Sequence, residues 1–253
     1  CLSKIDKYSF AKSSIESIEF PLNIKKIKEG AFQDCKNLNS VKIKKFSILV
    51  SIGINAFSGT TFTEILLPIN LQKIKDGCFS NNKKLENIDS QTDNFKYDKG
   101  LLLGKSKENI KYHDILISAS HNLEEVTIPL HVKQIRPHAF ENCENLKIVN
   151  AEKKSKLQII GIRAFYNSSI EKIKIPKNVT VIDEEAFSEC KNLQDFDFEP
   201  NSKIHSIRKK SFARSSIKTI TIPSNNKEIG EGAFQNCKEL KNITLPENSE
   251  LRS

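Results

Sequence analysis

An isoleucine followed five residues later by a phenylalanine recurs nine times along this chain, and no other feature restricts the fold so tightly. The pairs are Ile5/Phe10, Ile27/Phe32, Ile52/Phe57, Ile74/Phe79, Ile135/Phe140, Ile160/Phe165, Ile182/Phe187, Ile207/Phe212 and Ile229/Phe234. Successive phenylalanines lie 22, 25, 22, 61, 25, 22, 25 and 22 residues apart. A period of about 20–50 residues marks a stack of equivalent units, because one unit cannot bury its own apolar side chains whereas stacked neighbours can.

Two kinds of unit alternate. After Phe10, Phe57, Phe165 and Phe212 a short form carries paired Ser or Thr, then alternating apolar residues, then Pro, as in Ile170-Ile173-Ile175-Pro176. After Phe32, Phe140, Phe187 and Phe234 a long form carries Cys, Leu and an apolar alternation, as in Cys190-Leu193-Phe196-Phe198. The period of two predicts a short strand with one buried face. The Ala-Phe-x-x-Cys piece is too short for an independent helix and predicts a single helical turn pinned by its Phe.

The 61-residue step exceeds a long-plus-short pair by 14 residues and hides a tenth unit. There Tyr97 to Ile110 replaces the Ala-Phe turn, and apolar runs flank Gly104-Lys105-Ser106-Lys107 up to Ile115-Leu116-Ile117. This predicts a β-hairpin over about 94–118 that projects from the stack. Leu2 matches the slot of Val179 and Leu251 that of Ile204, so residues 1–253 read as one array that continues beyond both ends.

The succession Ala-Phe-x-x-Cys-x-x-Leu, strand, Ile-Pro and Val-x-x-Ile resembles the BspA-like, or Treponema pallidum type, leucine-rich repeats over nearly the whole chain. The resemblance implies an α/β repeat solenoid: a right-handed leucine-rich-repeat superhelix of about ten units of 22–25 residues. A concave parallel β-sheet would face short helical turns on the convex side. It further implies a surface or secreted protein that attaches to host cells or extracellular matrix.

Nothing in the sequence carries the spacing of a catalytic or cofactor site. Gly104-Lys105-Ser106 lacks the upstream glycine of a phosphate loop. Cys143, Cys190 and Cys237 are 47 residues apart. Two rungs of about 4.8 Å separate them by about 10 Å, beyond the roughly 7 Å that a disulfide spans, so they are expected to be buried free thiols. Cys1 stands apart from that column. His113, His121, His131 and His138 are clustered in sequence at spacings that match no metal motif, and they are expected on the surface. Asn167, Asn178 and Asn242 open glycosylation triplets of a kind common by chance in an Asn-rich chain.

Binding is therefore the expected activity. If alternate strand residues are buried, their neighbours face outward: Lys42, Glu64, Leu66, Asp89, Glu125, Thr127, Lys172, Lys174, Asp195, Asp197, Thr219 and Thr221. Tyr97, Leu102, Lys105 and Tyr112 in the hairpin form a second candidate group. Three classes follow: a non-enzymatic adhesion module for a host matrix or cell-surface protein, an intracellular scaffold for protein partners, and a basic surface for nucleic acid or anionic glycan. The net charge of +9 permits the third, but acids interleave with the lysines along most of the chain and argue against it. No run of apolar residues is long enough for membrane insertion. A surface or secreted location goes with the first class and a cytoplasmic one with the second.

Overall fold

A computed structural model describes residues 3–251, so Cys1 and Leu2 lie outside the described residues. The chain divides into two compact units, Cys1–Asn122 and Leu123–Ser253. Each is a parallel-strand solenoid with the leucine-rich-repeat fold, about ten turns between them. Apart from the turn that carries residues 95–119, each full turn contributes one longer strand and one two-residue strand. In the first unit the two-residue strands pair in register, Ile5 with Ile27, Ile27 with Ile52 and Ile52 with Ile74. In the second, Ile135, Ile160, Ile182, Ile207 and Ile229 form the same column. The longer strands run in register likewise, with Val126, Val149, Ile173 and Phe196 side by side.

The repeated phenylalanines stack ring on ring. Centroids are 5.1 Å apart for Phe10/Phe32 and 5.3 Å for Phe32/Phe57 in the first unit. In the second unit they are 4.8 Å for Phe140/Phe165, 5.1 Å for Phe165/Phe187 and 5.3 Å for Phe187/Phe212. Such near-parallel pairs add about 0.5–1.5 kcal/mol each beyond the area they bury. Phe32, Phe57, Phe140, Phe165, Phe187 and Phe212 are wholly inaccessible.

The expected helical turn is absent: the described residues contain no helix. Alternate amides of the Ala-Phe segment point along the stack instead of along their own axis. Phe187 donates to the Ser211 carbonyl at 2.7 Å, Glu185 to Lys209 at 3.1 Å and Glu189 to Ala213 at 2.9 Å. The amides between them close local turns, Ala186 to Asp183 and Ser188 to Glu185. To face the next rung, the residues two before and two after each Phe adopt positive φ. They include Glu185 at 54° and Glu189 at 61°, Asn55 at 52° and Gly59 at 71°, and Lys210 at 51° and Arg214 at 60°. A helix has no left-handed residues, so this interlocking excludes it.

The hairpin is also corrected. Phe95–Asp98, Leu101–Gly104 and Ile115–Ala119 are three strands that pair antiparallel in succession. The runs flanking Gly104-Lys105-Ser106-Lys107 do pair. A second, tight hairpin precedes them, turning at Lys99 and Gly100 with φ of 49° and 78°, the signature of a two-residue I′ turn. The sheet does not project: Leu101, Leu102, Leu103, Ile115, Leu116 and Ile117 are all buried. An apolar sheet of this kind has no stable place in water.

Cys143 and Cys190 are buried free thiols in the rung column as expected, and so is Cys35; Cys78 is buried in the slot that Ala fills elsewhere, whereas Cys237 is only partly buried. Cys190 Sγ donates to the Phe165 carbonyl at 3.0 Å, and Cys35 and Cys237 do the same to Phe10 and Phe212. Burial pushes the Cys190 thiol up to about 12 and raises Cys78 and Cys143 as well, so these groups stay protonated and inert.

Two stability changes follow. Phe187→Ala is expected to destabilise by about 3–5 kcal/mol, and Phe10→Ala, at a site 36% exposed, by less than half as much. Equal shifts in denaturant midpoint would contradict the stacked-ring core. Lys210→Gly should stabilise by about 1 kcal/mol by removing left-handed strain, whereas Gly30→Ala should destabilise. At Gly30 φ is 58° and an added Cβ would run into the Tyr8 ring. Paired thermal melts decide it, and a lower melting point for Lys210→Gly refutes the strain.

Candidate functional site

Along the longer strands the burial alternates exposed, buried, exposed, buried, as in Lys172–Ile175 and Asp195–Phe198. The inward residues make the core, so the outward ones are free to vary. Glu125, Thr127, Lys172, Lys174, Asp195 and Asp197 lie on one parallel sheet of the second unit and are all exposed. Thr219 and Thr221 follow on the next pair, opposite Asn242 and Thr244. In the first unit Lys42 and Glu64 are exposed on Ser40–Lys42 and Glu64–Leu67, with Leu66 half-buried opposite exposed Asp89.

Neighbouring rungs compensate one another's charge on this face. Lys172 Nζ is 2.6 Å from Asp195 and Lys174 Nζ is 3.9 Å from Asp197. Asn150 Nδ2 donates to Glu125 at 2.7 Å, and Lys44 Nζ is 3.3 Å from Glu19. Pairs this exposed contribute little stability. They leave a polar, mixed-sign surface.

The hairpin residues do not form one surface. Tyr97 and Leu102 are register partners, but Leu102 is fully buried and belongs to the core. Tyr97 is half-buried and its hydroxyl donates to the Glu86 carbonyl at 2.9 Å. Lys105 is partly exposed, with its amide bonded to the Asn94 carbonyl. Tyr112 is exposed, and Lys111 Nζ lies 5.4 Å from its ring. Sequence reasoning missed Asp114, which is buried and accepts from both the amide and the hydroxyl of Ser106 at 2.8 Å, clamping the connection between them.

The histidines differ from the expected surface set. His121 is 7% exposed, and His113, His131 and His138 are intermediate. Among the described residues no three His, Cys, Asp or Glu converge on one point. His138 instead joins a charge ladder on the turn face of the second unit. Its Nδ1 lies 3.0 Å from Glu141 Oε2, while Arg163 donates to Glu141 Oε1 at 2.7 and 3.0 Å and to Glu185 at 3.2 Å. The Arg163 guanidinium also covers the Tyr166 ring at 3.6 Å. Burial pushes the Glu141 carboxyl upward, but the hydrogen bond and charge of His138 and the charge of Arg163 outweigh it and hold the group below its ordinary value.

The BspA type leucine-rich repeat pattern, in six copies, matches residues 3–121, 116–241 and 205–252. The chain belongs to the BspA-type leucine-rich repeat family. No curated protein shows significant similarity to it. Among solved structures, this BspA-type chain is similar to a leucine-rich cell surface protein of Faecalibacterium prausnitzii A2-165. Identity is 25% and the TM-score 0.82, covering 97% of this chain and 70% of the other. The pneumococcal vaccine antigen PcpA shares the fold at 21% identity and a TM-score of 0.70, over 98% of this chain and 55% of its own length. A leucine-rich repeat protein of Eubacterium ventriosum ATCC 27560 does so at 22% and 0.65, over 94% of this chain and 75% of the other. No helix among the described residues is long and apolar enough to cross a membrane.

The ladder gives a signed pH dependence. Because folding lowers the Glu141 pKa, its stabilising contribution is complete above about pH 4.5 and fades as pH falls through the lowered folded value. In Glu141→Gln that part of the acid response disappears. Denaturant titrations between about pH 3 and 7 should give a shallower loss of stability than the parent, and parallel curves would contradict the assignment.

Proposed function

We propose that this chain is a non-enzymatic protein-binding module that engages an extracellular-matrix or host cell-surface protein through the outward rows of its longer strands. The observation that carries the reading is the burial alternation. Lys172, Lys174, Asp195 and Asp197 contribute nothing to the core, yet the fold holds them at fixed spacing on a rigid sheet. Rigid presentation lowers the entropy lost on binding, which is how repeat scaffolds use such surfaces. Membership of the BspA-type family supports the reading, and so does the likeness to a cell surface protein at 25% identity. The face mixes signs and pairs them across rungs, which favours a polar protein surface over a polyanion.

Immobilised matrix proteins titrated with the purified chain test this directly. Saturable binding is expected, retained between about 50 and 200 mM salt and weakened about tenfold by Lys174→Glu with Asp197→Lys. Affinity that instead collapses over that salt range, with equal capture of nucleic acid or heparin, would overturn the proposal.

A further inference from the structure

We propose that one edge of the first unit is a docking site for an acidic, apolar peptide segment of a protein partner. This adds a face to the module and rests only on its being a protein binder. Three stacked loops, residues 20–26, 43–51 and 67–73, carry the chain from a longer strand to the next two-residue strand. They hold Lys25, Lys26, Lys44, Lys45 and Lys73 and no Asp or Glu. On them Leu22, Phe46, Ile48 and Ile69 are 50, 70, 40 and 48% exposed. The Ile48 amide donates to the Leu22 carbonyl and Ile69 to Lys45, both at 3.1 Å, so the four residues lie on successive rungs of one edge, and Ile48 and Ile69 line the same groove.

The repeat contains its own control. In the second unit Leu130, Lys177 and Ser224 stand at the slot of Leu22 and Ile69, so that slot keeps one apolar residue, while Lys154 and Asn201 stand at that of Phe46 and Lys156 and Lys203 at that of Ile48. The backbone there is the same: Lys203 donates to Lys177 at 2.8 Å, as Ile48 does to Leu22. Asn225 Nδ2 reaches the Ser202 carbonyl at 3.0 Å, as Asn70 reaches Ser47 at 2.9 Å. Polar residues therefore satisfy these slots, and packing does not require the apolar ones. A contiguous exposed apolar patch rimmed by lysine is the mark of an interaction surface.

The chemistry of the patch selects the occupant. An open groove of about 670 Å³ runs between the rungs, with Ile48, Val50 and Ile69 as apolar wall and Asn70, Gln72 and Asn94 among them. Gln72 can both donate to and accept from a peptide backbone, and Asn70 and Asn94, whose Nδ2 groups donate to the Ser47 and Leu71 carbonyls, keep Oδ1 as acceptors, whereas the acyl chains of a lipid offer them nothing. Lys44 is shared with Glu19, but Lys25, Lys26, Lys45 and Lys73 sit on loops without an acid and call for Asp or Glu in the segment. A second copy of this chain, at net charge +9, is a poor match.

Panning a random dodecapeptide phage library on the purified chain, then titrating the enriched peptide by fluorescence anisotropy, tests the edge. Enriched sequences should combine Leu, Ile or Phe with Asp and Glu. Phe46→Ser and Ile69→Ser should each weaken the peptide at least about tenfold, and Lys44→Glu with Lys45→Glu should abolish saturable binding, with circular dichroism unchanged. Lys174→Glu on the strand rows should leave affinity as it was. Basic enriched sequences, unchanged affinity in the edge variants, or no saturable peptide would each overturn the proposal. So would Phe46-dependent sedimentation with phosphatidylglycerol vesicles in place of peptide binding. Loss confined to Lys174→Glu would move the peptide to the strand rows, refuting the edge while keeping the module.

Discussion

Each rung is fixed to the next by the amide of its phenylalanine. When Phe187 donates to Ser211 in the following rung, with Glu185 and Glu189 doing likewise on either side, the rise per rung is held at hydrogen-bonding distance. Aromatic rings carried at the same register then have to stack, and they do so at 4.8–5.4 Å through the second unit. The same geometry requires two left-handed residues per rung. That is a conformation L-residues other than Gly, Asn and Asp resist at about 1–2 kcal/mol each. The ring column and the strand pairing must offset this strain.

Polar groups inside the stack follow from the same translation. A residue that bonds to its neighbour in one rung meets the same neighbour in the next, so buried serines can be satisfied in series. Ser47, Ser155 and Ser202 are buried, and each accepts from an amide two residues on. Their carbonyls receive Asn70, Asn178 and Asn225 of the following rung. Asn178, which opens a glycosylation triplet, is thus engaged in joining a long unit to a short one. Buried polar atoms paired in this way specify register, which an apolar column alone leaves free to slide.

The apolar periodicity made the solenoid legible, because Ile, Phe and Leu recur at slots where only burial explains them. Other parts escaped for physical reasons. The Ala-Phe turn was expected to be helical since local apolar spacing does not distinguish a helix from a turn whose amides point to another rung. The signal was present two residues after six of the nine phenylalanines, where Asp34, Gly59, Asn81, Asn142, Asn167 and Asn236 favour positive φ, although Lys12, Glu189 and Arg214 take it without that signal. The turn beside Leu102 signals a hairpin but not whether it projects, and the run of three leucines is the signal for burial. The outward strand residues were legible from period two, but their cross-rung pairing, Lys172 with Asp195 among them, depends on a register that the sequence does not state.

A repeat protein separates what folding needs from what it does not. A slot filled alike in every rung reports packing, and a slot that varies reports freedom. The turn face of the second unit uses that freedom for charge, running His138, Glu141, Arg163 and Glu185 through adjacent rungs. The loop edge of the first unit uses it for Leu22, Phe46, Ile48 and Ile69, where the second unit has lysine, serine and asparagine apart from Leu130. Both departures are local, and neither alters the hydrogen bonds that carry one rung to the next. Specific recognition in such a chain arises where the slots are free to vary, because the backbone ladder tolerates side chains there that no core position would accept.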